Sequence, residues 1–208
     1  MRRFPPATTQ VNAMWDDRYN RPDYFYGKQP NDFVRQVCPQ IPRGKILCLA
    51  EGEGRNAVYL AQQGYRVTAV DASEVGIAKA QRLAAEHGVP LQTLVADLAE
   101  FEIQPQSWDG IVSIFCHLPP PLRAQIHQRV VEGLRPGGVF VLEAYTPAQL
   151  TFKTGGPPTA DLMMDWPTLQ QELAGLTFKI GQELERDIHE GIGHRGRSAV
   201  VQVLAVKP

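Results

Sequence analysis

Two glycines and two aspartates, each closing an apolar run, carry the densest chemical information in the chain. Gly52-x-Gly54-x-x-Ala57 follows one such run, and Asp71 stands 19 residues beyond Gly52. Glycine lacks a Cβ and lets a ligand approach the backbone closely, while a carboxylate at that spacing can accept hydrogen bonds from ribose hydroxyls. A further acid, Asp97 in Val-Ala-Asp-Leu, is placed either to accept from an adenine amino group or to cap the turn that follows it. The pattern points to a nucleoside-containing ligand; the alternative is a plain glycine turn followed by a surface aspartate.

Charge separates the nucleosides. The G-x-G-x-x-A spacing also fits dinucleotide folds, where a pyrophosphate sits on the loop. Here the loop carries Glu51 and Glu53 and no lysine, so a pyrophosphate would meet carboxylates. S-adenosyl-L-methionine has no phosphates, and its sulfonium and ammonium suit local negative charge.

The elements that must position these groups alternate from about residue 45. Strand-like runs are predicted over 45–50 (KILCLA), 66–70 (RVTAV), 91–95, 108–115 (WDGIVSIF) and 139–144. Helices are predicted over 55–63, 73–87 with Ser73 as N-cap, and 121–134, each stopped by glycine or proline. Residues 146–158 read as a loop and 167–176 as a helix. Two long strand-like runs, 176–188 and 195–206, follow, joined by Glu190-Gly191-Ile192-Gly193. The expectation is an α/β fold: a doubly wound, mostly parallel seven-stranded sheet with a C-terminal antiparallel hairpin.

Bulk properties bound the function. The chain has 208 residues, 43% of them hydrophobic, and a net charge of -1, enough for one domain with a real core. No basic stripe advertises nucleic acid or an anionic membrane, which leaves a small-molecule partner. The start, Met-Arg-Arg-Phe-Pro-Pro, lacks the apolar run of a signal peptide, and no stretch approaches the roughly 18 apolar residues of a membrane span. Cys38, Cys48 and Cys116 match no zinc or redox spacing, so no metal is expected and reduced thiols in a cytoplasmic protein are the simplest reading. Oligomeric state leaves no trace.

The stretch Leu47–Ala61 (LCLAEGEGRNAVYLA), with Asp71 and Asp97 in register, resembles the class I (Rossmann-like) S-adenosylmethionine-dependent methyltransferases. Gly-Arg-Asn-Ala-x-Tyr-Leu-Ala, the N-terminal WDDRY…YFYGKQPNDF (Trp15 to Phe33) and His194-Arg195-x-Arg197 are similar to the tellurite-resistance-type branch. The resemblance implies a single domain over 1–208, with 1–40 a helical lid or extension and 41–208 the core. It implies that Gly52, Gly54 and Asn56 line the methionine portion of the cofactor, and that Asp71 holds the ribose while Ala72 packs on the adenine. Asp97 and Leu98 would meet the adenine, Phe115 would close the pocket, and Tyr26 and Gly27 would fold over it. The chain departs from the family at Cys48, where an acid is usual, and at Ala50, where a glycine is usual; Glu51 is the neighbour left to replace the acid.

On the acceptor side, His117 at the mouth of the fourth strand suits a base or a positioning group, or equally a buried histidine bonded to backbone. The resemblance places His194 and Arg195 near the active site. With Arg197 they would suit an anionic small molecule such as an oxyanion or carboxylate, although strand alternation puts His194 on the opposite face from the two arginines. The competing readings are a non-catalytic S-adenosylmethionine-binding protein, kept open by Cys48 and Ala50, and an NAD(P)-dependent oxidoreductase. For the latter, Tyr24-x-x-x-Lys28 is the only Tyr/Lys pair of the right spacing, and it lies upstream of the glycine loop.

Overall fold

The computed structural model describes residues 7–208, and the Met-Arg-Arg-Phe-Pro-Pro start lies outside them. Its centre is a seven-stranded sheet in the order β3-β2-β1-β4-β5-β7-β6. The strands are β1 (Lys45–Leu49), β2 (Arg66–Asp71), β3 (Gln92–Val95), β4 (Trp108–Ile114), β5 (Leu134–Tyr145), β6 (Thr177–Glu190) and β7 (His194–Val206). Neighbours from β3 through β5 pair in parallel, and β7 runs antiparallel to both β5 and β6. The winding reverses between β1 and β4, so the loops at their carboxyl ends part there and leave room for a ligand.

Helices cover both faces: α1 (Ala7–Tyr19), α2 (Asp32–Val37), α3 (Arg55–Gln62), α4 (Glu74–Glu86), α5 (Pro120–Gly133) and α6 (Trp166–Glu172). Successive side chains of β1 alternate between two cores. Ile46 and Cys48 join Val34 of α2 with Ala57 and Leu60 of α3, while Leu47 and Leu49 join Val130 of α5 with Leu169 of α6. α2 is thus built into the core beside the sheet.

Differences from the expected elements have local causes. β5 starts at Leu134 and runs through Pro136-Gly137-Gly138, because a register shift against Trp108 and Gly110 absorbs the turn. α6 stops at Glu172, since Gly175 adopts φ 98° and Leu173 and Leu176 turn into the core. The β6–β7 link is only Gly191–Gly193: Glu190 is the last residue of β6 and sits opposite His194.

The turn from β1 into α3 is the most constrained part of the fold. Ala50 takes φ 47°, the left-handed region that suits glycine. The partly buried Glu51 carboxylate folds back on α3 and accepts from the amides of Asn56 (2.9 Å) and Ala57 (2.8 Å), capping the helix. Burial pushes its pKa up to about 7, against the pull of those amides and of Arg55. The buried thiol of Cys48 is pushed up as well, by burial and then by Glu51.

Ala50→Gly should therefore stabilise the fold by about 1 kcal/mol, read as a higher urea midpoint; a loss of stability would show that the turn is not strained. Glu51 has a folded pKa above its unfolded value of about 4.3, so its contribution is full below that value and is lost as pH rises through about 7. Glu51→Gln keeps an oxygen for the two amides. It should flatten the decline in urea midpoint between about pH 5 and about pH 8. A decline of unchanged slope would mean that Glu51 is ionised throughout.

Candidate cofactor and acceptor site

At the tip of β1, Gly52 (φ 61°) donates its amide to Asp71 Oδ2 at 2.7 Å, and Asp71 Oδ1 accepts from Ser73 N at 2.8 Å. Asp71 is thereby fixed at the end of β2, with a second lone pair on each oxygen left for hydroxyl donors. Burial raises its pKa, and the backbone donors oppose that rise. Ser73 caps α4, its hydroxyl accepting from Gly76 N at 2.9 Å. Beside it, Ala72, Val95, Ala96, Asp97, Glu100, Phe101 and Glu102 line a groove of about 480 Å³, where Asp97 caps its own turn through Ala99 N at 2.9 Å. Leu98, the residue after Asp97, is buried in the core.

The two glycines differ. A Cβ on Gly52 would lie 2.6 Å from the Tyr19 hydroxyl, so this glycine faces the N-terminal segment across the cleft. A Cβ on Gly54 would lie 2.6 Å from Ala80 Cβ, so Gly54 is required for the packing of α3 on α4 and its bare side does not face a ligand. Asn56 likewise turns from the cleft: its Oδ1 accepts from Asn31 N at 2.9 Å.

Loop charge is lower than two glutamates imply. Glu53 pairs with the buried Lys79 at 2.5 Å, a partner in α4 that the sequence reading did not provide. The stronger obstacle to a pyrophosphate is the Glu51 cap. Dinucleotide folds place the pyrophosphate on the free amides at this helix N-terminus, and here Asn56 N and Ala57 N are already bonded to a carboxylate. Arg55 offers one unmet need: its Nη1 is buried with no partner, while Nη2 holds Glu190 at 2.7 Å. An orphaned guanidinium donor in the first turn of α3 fits the carboxylate of an amino-acid moiety.

The segment between α1 and α2 crosses this cleft. Lys79 Nζ reaches the carbonyls of Tyr19 and Arg21 (3.1 Å each) and Asp23 (2.6 Å), and Asp16 Oδ1 accepts from Ser73 Oγ at 2.5 Å. Tyr26 N donates to Glu53 Oε2 at 3.3 Å, and Arg18 donates to the Tyr26 hydroxyl at 3.1 Å. Gly27 (φ 74°) meets Gly191 at the hairpin tip, where Phe25 O accepts from Ile192 N at 2.8 Å. Tyr19 and Asp16 were not singled out from sequence; the WDDRY run holds both but gives no sign of what they touch.

Beyond the cleft lies a cluster of rings. Phe115 takes φ 53° at the tip of β4, a strained position for an aromatic residue. Its ring centroid is 4.6 Å from Tyr145 and 4.4 Å from His194, and Tyr26 is 4.4 Å from His194. His117 stacks on Tyr145 at 5.6 Å. The His117 Nδ1 lies 2.9 Å from Leu162 O, which can only accept, so Nδ1 carries the proton. Its Nε2 is buried without a partner, and burial pushes the pKa down to about 4.

His194 Nδ1 lies 3.1 Å from Glu190 Oε2. Glu190 also takes Asn31 Nδ2 at 2.9 Å, and Asn31 reaches the fully buried Glu143 at 2.7 Å, itself held by Arg186 at 2.6 Å. Arg195 and Arg197 do not join this cluster. Both are exposed, and Arg197 pairs across the hairpin with Glu185 at 3.3 Å, because alternation along β7 turns them away from the face of His194. The cationic wall expected for an anionic acceptor is therefore not formed by these residues.

Against known proteins, residues 46–138 match the model of a methyltransferase domain. An uncharacterized methyltransferase of Synechocystis is 31% identical over 150 residues, covering 67% of each chain. A 2-heptyl-1-hydroxyquinolin-4(1H)-one methyltransferase of Mycobacteroides abscessus is 26% identical over 140 residues, 66% of this chain and 62% of that one. The chain spans about three fifths of the length of the curated relatives that it matches first. Among solved structures, TehB of Haemophilus influenzae superposes with a TM-score of 0.70 at 23% identity, over 95% of this chain and 67% of that one, a likeness of fold. With the family model on residues 46–138 and the Synechocystis relative covering two thirds of the chain, the chain belongs to the S-adenosylmethionine-dependent methyltransferase family.

Proposed function

We propose that the protein transfers a methyl group from S-adenosyl-L-methionine to a small molecule. The observation that carries the reading is the β1–α3 turn, where Gly52 is bonded to a ribose-spaced aspartate while Glu51 closes the helix N-terminus to phosphate. In this reading Asp71 holds the ribose hydroxyls, and Ala72, Asp97 and the groove beside them take the adenine. Gly52, with the orphaned Arg55 Nη1, takes the methionine portion. Tyr19, Tyr26 and Gly27 close the cleft from the N-terminal side and exclude water.

When bound, the cofactor supplies a methyl carbon already activated by a positive sulfur. The chain need only hold an acceptor in line with that carbon, and orientation of this kind is worth roughly 7 to 11 kcal/mol at best. Phe115, His117, Tyr145 and His194 form the wall on which the acceptor would rest. The relative from Mycobacteroides abscessus, named for a hydroxylated quinolone, supports a flat acceptor against such rings. No guanidinium from β7 reaches this wall, so Arg195 and Arg197 do not favour an oxyanion there.

Calorimetric titration should show binding of S-adenosylhomocysteine and no heat with NAD. Asp71→Ala should weaken S-adenosylhomocysteine at least tenfold, since two ribose hydroxyls lose their acceptor. Unchanged affinity would remove Asp71 from the site, and tight NAD binding would reverse the reading. Transfer of label from the cofactor's methyl group to an acceptor separates an enzyme from a non-catalytic binder.

A further inference from the structure

We propose that Glu190 is a positioning residue for His194, and that the pair forms a general base for an acceptor that arrives with a proton to lose: a hydroxyl, thiol or N–H compound. The proposal rests on the methyltransferase reading above. A carboxylate can only accept, so the 3.1 Å contact from Glu190 Oε2 places the imidazole proton on Nδ1 and leaves the Nε2 lone pair free. Glu190 cannot swing away. Its Oε2 also receives Arg55 Nη2 at 2.7 Å and its Oε1 receives Asn31 Nδ2 at 2.9 Å, and all of these groups are buried. His194 itself is wedged among Tyr26, Phe115 and Tyr145, with centroids at 4.4, 4.4 and 5.4 Å, so only its ring plane and tautomer remain to be set.

The charges around the ring agree. The titratable or charged groups facing His194 are Glu190, Arg55, Arg18, Tyr26, Tyr145 and His117. Burial first, then Arg55 and Arg18, outweigh Glu190 and hold the imidazole below its usual pKa, neutral at pH 7. Arg55 Nη2 is taken up by Glu190 and the Arg186 guanidinium by Glu143, and the remaining Arg55 Nη1 is the donor assigned above to the cofactor's carboxylate. His117 presents a second unpartnered lone pair, which calls for a hydrogen donated by the ligand. An oxyanion such as tellurite brings free lone pairs and needs no base; the Nε2 lone pairs of His194 and His117 offer it no hydrogen.

The step balances without another reactant. The acceptor's proton passes to His194 Nε2, and the electron pair it leaves forms the bond to the methyl carbon. The carbon–sulfur bond breaks with its pair going to sulfur, which becomes a neutral thioether, and the imidazolium later returns the proton to solvent.

The test uses the full chain with ¹⁵N-labelled histidine, saturated with S-adenosylhomocysteine, and His194→Gln to assign the signal. Long-range ¹H–¹⁵N spectra at pH 7 should show His194 neutral with its proton on Nδ1, and Glu190→Gln should release it into a mixture of tautomers. A wild-type proton on Nε2 would overturn the proposal. In parallel, phenol and sodium tellurite compete for labelled methyl groups. Transfer to phenol should fall at least tenfold in kcat in Glu190→Gln, with recovery in Glu190→Asp, while S-adenosylhomocysteine still binds. Transfer to tellurite at equal rates in wild type and Glu190→Gln would also overturn it. Where neither probe takes label, the tautomer decides. Failure of the wild type to bind S-adenosylhomocysteine would instead sink the methyltransferase reading and is read separately.

Discussion

The turn between the first strand and its helix is held at both ends by carboxylates, and the rest of the site is arranged around that fact. Asp71 grips Gly52 from the neighbouring strand, while Glu51 grips the helix from within the turn. Each bond satisfies backbone donors that would otherwise be stranded at the head of a sheet. Together they leave a surface that offers a carboxylate to hydroxyls, with the Asn56 and Ala57 amides of the helix already taken.

A second network ties that turn to the far side of the molecule. Asn31, with no exposed surface, donates to Glu143 in β5 and Glu190 at the hairpin tip, and its backbone amide donates to Asn56 in α3. Arg55, one residue before Asn56, closes the loop onto Glu190. Buried ionic groups of this kind are costly unless every member is satisfied, and removing one partner strands the others. The N-terminal segment, the cofactor helix and the C-terminal hairpin consequently share one set of buried charges. Rigidity at the hairpin tip follows, and it is on that tip that His194 stands.

Much of this was legible in the residues themselves. The alternation of apolar runs with capped helices gives the sheet, and Ser73 and the glycine stops give helix ends because those signals act within a few residues of one another. The resemblance at Leu47–Ala61 points to the family that the comparisons then show. What sequence could not display is pairing at a distance. Arg55 and Glu190 are 135 residues apart, and Asn31 and Glu143 are 112 apart. Glu190 reads as a loop residue beside two glycines until the hairpin register sets it opposite His194. Glu53 reads as a free negative charge until Lys79 is found beneath it. Arg195 and Arg197 show the reverse case: residues of suitable type, near the right histidine in sequence, that the two-residue period of a strand carries to the other face.

A crystal structure with S-adenosylhomocysteine bound would test the account most directly. The expected density has the ribose on Asp71, the adenine in the groove between Ala72 and Asp97, and the Glu51 carboxylate still capping the helix. A ligand lodged elsewhere, or a dinucleotide whose pyrophosphate displaces Glu51 from Asn56 and Ala57, would contradict it.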